Sequence, residues 1–100
     1  SKTKSFEDVF AIIELITSSI WGLGKLYSYD TALRLAATRM HEPSVVYLHP
    51  GVRVGAKQLR IPVNREFIKL EELRPELHRL KAHEVEDLLW LYKNQLGAVR

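Results

Sequence analysis

Between Phe6 and Ile20 apolar residues recur at helical spacing, and the pattern stops at two glycines set one residue apart, Gly22 and Gly24. Phe6, Val9, Phe10, Ile12, Ile13, Ile16 and Ile20 make a broad stripe down one side of a helix over residues 5–20. Ser5 followed by Asp8 supplies an S-x-x-D start, a variant of the capping box. A stripe this wide has to be buried against other elements, which commits the chain to a helical core. A second helix is expected from Ser28 to about Met40, with Ser28 as its cap and Asp30 favoured by the helix dipole. Tyr29, Leu33, Ala36, Ala37 and Met40 would face inward, and Arg34 and Arg39 outward.

Beyond these helices the pattern is more mixed. Residues 43–50, "PSVVYLHP", combine a helix-starting proline with Val45-Val46-Tyr47, which favours extended chain, and Pro50 should end either form. A short helix is expected from about Val52, with Gly55-Ala56 small enough for close backbone packing. On it Arg53, Lys57 and Arg60 would fall at i, i+4 and i+7, along one face. "IPVN" reads as a connector, and residues 66–81 as one or two helical turns broken near Pro75. A last helix is expected from His83 to Gln95. Its core face would be Val85, Leu88, Leu89, Tyr92 and Leu96, with Trp90 on or near it and Gly97 as its stop. The expected fold is mainly α, a compact four- to five-helix domain occupying residues 1–100, and a start at Ser1 suits a processed form or part of a longer protein.

Composition narrows the function classes. No cysteine is present, so there is no disulfide framework, thiolate nucleophile or thiolate metal site, as suits a cytoplasmic protein. No apolar run approaches the roughly 20 residues of a membrane span. His41, His49, His78 and His83 show no metal-binding spacing, and Gly51-x-x-x-Gly55 lacks the ending of a phosphate-binding loop, so no cofactor is expected. Net charge is +3, but five Lys/Arg against one Glu between residues 53 and 69 put a local excess of +4 there. Such an excess attracts polyanions or simply forms a solvated face.

The glycine pair carries the most specific chemistry. Two glycines flanking an apolar residue make a tight hairpin in which Leu23 points inward and pins the turn. The amides beyond Gly24 would then face outward near the next helix start, a favourable place for a phosphate, with Lys25 adding a full charge.

Ile16 and Ile20, then Trp21-Gly22-Leu23-Gly24 and Lys25, resemble the helix-hairpin-helix motif over roughly residues 9–40. The resemblance implies non-specific DNA binding by hairpin amides. The family usually has a small residue about four positions after the second glycine. Here Ala32 stands eight after Gly24, so the hairpin is longer by "LYSY". Gly22, Gly24, Tyr29, Asp30, Ala32, Leu33, Arg34, Val46, Tyr47, Leu48, His49, Gly51, Gly55 and Ala56 are also similar to a bacterial pattern, G-[IL]-G, YD-x-A-L-R, VYLH-x-G-x-x-x-GA, that brings no activity with it.

The DNA contacts expected are Gly22, Gly24, Lys25 and Ser28, supported by Arg53, Lys57 and Arg60. The alternative is a protein-interaction or oligomerisation module, a regulatory or accessory subunit whose last helix binds a partner or a second copy. A catalytic role would need Tyr29, Asp30, Arg34 and His49, with Tyr47, to share a pocket. In the plainer reading Asp30 is a first-turn acid and His49 a turn residue. Helix-hairpin-helix glycosylases place their aspartate well downstream of the glycines, whereas Asp30 is six residues from Gly24, so that activity is set aside.

Overall fold

A computed structural model describes residues 6–24 and 44–99. Helix α1 spans Phe6–Glu14 and widens into a π-helical turn over Leu15–Ile20. The inward side of the stripe is as expected: Val9, Ile12, Ile13 and Ile16 are buried, while Ile20 at its end is exposed. In the wide turn the Trp21 N–H reaches the Ile16 carbonyl at 2.7 Å, and the fully buried Thr17 donates its hydroxyl to Ile13 O at 2.9 Å. The hydroxyl's competition for that helix carbonyl accompanies the widening.

The chain is mainly helical, as its patterning implies, but the count of four to five helices is not met: three α-helices stand among the described residues. These are α1, α2 (Pro50–Gln58) and α3 (Ala82–Leu91), and the helix expected at Ser28–Met40 lies outside the described residues. Pro50 does not end an element; it opens α2 at the first helical position, where its missing N–H costs nothing.

Two segments form strands: Val45-Val46-Tyr47 takes the extended form its residues favour, and Phe67–Lys69, expected within helical turns, is a strand. β1 (Val45–Tyr47) pairs antiparallel with β2 (Phe67–Lys69), with Val46 opposite Ile68 and Tyr47 opposite Phe67. Val46 and Ile68 point into the core and their neighbours point out, the alternation of a half-buried sheet. The outer edge of β1 is closed by α3, whose buried Glu86 accepts the Tyr47 N–H at 2.9 Å. The expected break at Pro75 is present: 3₁₀ turns run over Leu70–Glu72 and Pro75–Arg79 on either side of it.

The last helix starts where the sequence puts it and stops earlier. Glu84 accepts the Lys81 N–H at 2.8 Å, and Val85, Leu88, Leu89, Tyr92 and Leu96 are buried as expected. After Leu91 the chain passes through a turn into a 3₁₀ segment, Leu96–Ala98. The reason is tertiary. Gln58 of α2 donates its side-chain amide to the Lys93 carbonyl, and a Cβ on Gly97 would stand 2.6 Å from Gln58 Oε1. Glu14 of α1 faces this end of the core. Burial first, and then its charge, hold the Tyr92 phenol above the ordinary value.

α2 ends in a full Schellman closure: Ile61 N–H bonds Ala56 O and Arg60 N–H bonds Lys57 O, each at 3.0 Å. The residue in the left-handed conformation is Arg60, with φ 64°, where glycine is the usual occupant. Since a side chain there costs roughly 1 kcal/mol, Arg60→Gly is expected to raise stability by about that amount, read as a higher urea midpoint at unchanged m value.

Candidate nucleic-acid interface

The glycine turn begins at Trp21, which has no exposed surface and donates its indole N–H to Glu76 Oε2 at 2.8 Å. The same oxygen takes the Arg74 guanidinium at 2.7 Å. Partial burial pushes the Glu76 carboxyl up. Its own backbone N–H, the Trp21 indole and Arg74 outweigh that, so the net displacement is downward. A lowered folded pKa means that this contribution is complete above the unfolded value, about 4.3, and lost as pH falls through the folded one. Stability should therefore decline as pH drops below about 4, and Glu76→Gln should lack this component of the acid limb in urea titrations.

After Trp21 the chain turns twice. Gly22 has φ 72°, and next to it the Leu23 N–H reaches back to Thr17 O at 2.8 Å, closing the wide helix end. Leu23 is half-buried and packs against the core, the pinning role expected of it. Gly24 has φ 78° with open space around the position of a Cβ, and its carbonyl accepts the Ser18 hydroxyl at 2.9 Å. The two glycines therefore do different work. Gly22 terminates a helix, whereas Gly24 is an exposed residue of positive φ with open space at its Cβ position. Lys25 and Ser28, the partners the sequence assigns to this turn, lie outside the described residues.

The basic stripe is rearranged. Arg53 is half-buried and donates to the carbonyls of Val63 and, at 2.9 Å, Leu48, so it fastens α2 to the strand and the connector. Lys57 is exposed in the last turn of α2, and Arg60 is exposed beyond the helix end. The three thus do not lie along one helical face: the helix stops at Gln58, and Arg53 is held inward. Arg65 is bound through both guanidinium nitrogens to Glu72, at 2.8 and 3.0 Å, which further thins the local excess of charge.

The glycine turn and the end of α2 both lie against the C-terminal turn. Asn94, Gln95, Gly97 and Ala98 share a cleft of about 430 Å³ with Gly22 and Leu23. On the other side Gln58, next to Lys57, lies against Gly97. The sequence did not single out Asn94 or Gln95, because a helix running to Gln95 makes them ordinary surface positions; only Gly97 hinted at a stop there.

Of the polar set considered for catalysis, Tyr29, Asp30 and Arg34 lie outside the described residues. His49 is the exposed residue preceding α2, its ring centre 6.1 Å from that of Tyr47. Among the described residues no group of His, Asp and Glu is placed to hold a metal ion, and no helix is long and apolar enough to cross a membrane. Trp90 is not on the core face. It is 47% exposed, covers Gly51 and carries Lys93 Nζ 4.7 Å from its ring centre. Comparison with protein-family models, with curated proteins and with solved structures finds no match to this chain.

Proposed function

We propose that this chain is a helical module that contacts the phosphate backbone of duplex DNA with little sequence preference. The supporting observation is the pair of positive φ angles at Gly22 and Gly24, which leaves exposed backbone at a turn followed directly by Lys25. In this reading Trp21–Gly24 is the turn of a helix-hairpin-helix-like unit, whose second helix the sequence assigns to Ser28–Met40. Lys25 and Ser28 meet a phosphate beside it, and exposed Lys57 and Arg60 lend long-range attraction. Few contacts give weak binding, with dissociation constants expected in the micromolar range or above at physiological salt.

Fluorescence anisotropy of a labelled duplex across a salt series tests the proposal. Binding should weaken steeply with salt. Lys25→Glu should lower affinity and flatten the slope of log K against log salt by about 0.9, the amount due to one neutralised phosphate. Binding that ignores salt, or a Lys25→Glu variant that binds like the parent, overturns the proposal.

A second reading, a protein-interaction or self-association module, is favoured by a different observation. Tyr47, Phe67, Val54 and Trp90 all leave roughly two-fifths or more of their surface exposed, at 41, 40, 46 and 47%. Under it the chain sediments as an oligomer that Phe67→Glu disperses, and binds no duplex.

A further inference from the structure

We propose that the cleft between the hairpin and the 94–98 turn is a second nucleic-acid subsite, in which the neutral amides of Asn94 and Gln95 hydrogen-bond a phosphodiester or sugar edge. This rests on the reading of the hairpin as a DNA-contacting element and extends the surface past it. The cleft shares Gly22 and Leu23 with the hairpin, so a backbone strand lying on the turn passes over its mouth.

Its lining suits an anionic polymer in three ways. The side-chain-poor Gly22, Gly97 and Ala98 leave main chain and a methyl group as much of the wall, which admits a bulky phosphate-sugar edge. Asn94 and Gln95 are exposed, and each side-chain amide offers two N–H donors without needing a counter-charge. Among the described residues no carboxylate lines it, in contrast to the grooves along α1, one of which contains Asp8 and another Glu14.

Neutral donors leave a signature that cations do not. They strengthen binding without releasing counterions, so they shift log K without altering its dependence on salt. The test is the double variant Asn94→Ala/Gln95→Ala of the full chain, titrated with the same duplex over the same salt series. Removing two hydrogen bonds should weaken binding roughly tenfold at every salt concentration, with the slope unchanged and the thermal midpoint preserved, since both side chains are exposed. Ala98→Glu, which puts a carboxylate in the cleft, should weaken binding at least as much, and most strongly at low salt.

If the parent binds and both variants bind equally well, the subsite is refuted while the hairpin reading stands. A double variant that loses slope together with affinity also refutes it, because the amides would then act through a charge. If the parent binds no duplex at all, the hairpin reading fails and the subsite falls with it.

Discussion

Gly55→Ala is expected to lower stability by about 3 kcal/mol, at the upper end of what overpacking by one methyl group usually costs. Gly51 and Gly55 lie four residues apart on the side of α2 that meets α3. A Cβ at Gly55 would lie 2.8 Å from the Leu89 carbonyl carbon and closer still to its oxygen. That neighbour is the main chain of a helix, which cannot swing aside as a side chain can. The helices would have to part, loosening Val52 and Ala56 of α2 from the core they share with Val85, Leu88 and Leu89 of α3. Against this stands a gain of about 1 kcal/mol in helix propensity, too small to change the sign. Gly51→Ala provides the contrast. Its Cβ would meet the Trp90 indole, 2.5 Å from Nε1, but Trp90 is half-exposed and can turn away. A markedly lower urea midpoint for Gly55→Ala, with Gly51→Ala close to the parent, would confirm the asymmetry. Equal effects at the two positions would contradict it.

Trp21→Ala is expected to cost about 4 kcal/mol, as for other buried large-to-alanine changes. The side chain has no exposed surface, and its indole N–H is bound to Glu76. Removing it opens a cavity beside the hairpin and deprives the Glu76 carboxylate of a donor, leaving Arg74 and its own backbone N–H. Trp21→Phe goes far to separate the two effects, since it keeps most of the volume while losing the hydrogen bond, worth about 1.5 kcal/mol to a charged acceptor. A double-mutant cycle with Glu76→Gln should then show coupling between the residues. Trp21 is also where the glycine turn joins the core, so under the proposed DNA-binding function Trp21→Phe should leave duplex binding near the parent's, whereas Trp21→Ala should weaken it even at temperatures where the chain stays folded.

Several parts of this fold are readable locally. The inward residues of α1 and of α3 follow from spacing alone, because a helix repeats its burial every three to four residues. The small pair Gly55-Ala56 signals close approach before any partner helix is known, because only a missing or minimal side chain permits it. Arg53 shows the opposite case. On α2 it has the spacing of a surface cation, yet it holds the carbonyls of Val63 and Leu48. The Val63 carbonyl comes within its reach only once the chain has turned past Arg60. Asn94 and Gln95 are similar: their departure from α3 depends on Gln58 taking the Lys93 carbonyl, an event with no trace near residue 94.

By itself, the sequence determined the elements whose stabilisation is local and repetitive: a mainly helical chain, the buried stripe of α1, the core face of α3 and a glycine-bounded turn after Trp21. Tertiary structure alone decided the pairing of β1 with β2, the stopping point of α3, the inward fate of Arg53, the exposure of Trp90 and the meeting of Gly22 and Leu23 with the 94–98 turn. Strands of three residues are too short to show an alternation, and the bonds that tie β1 to α3 and stop α3 join residues 39 and 35 positions apart. Their energy is realised only when the core has already brought them together, so no window of neighbouring residues records it.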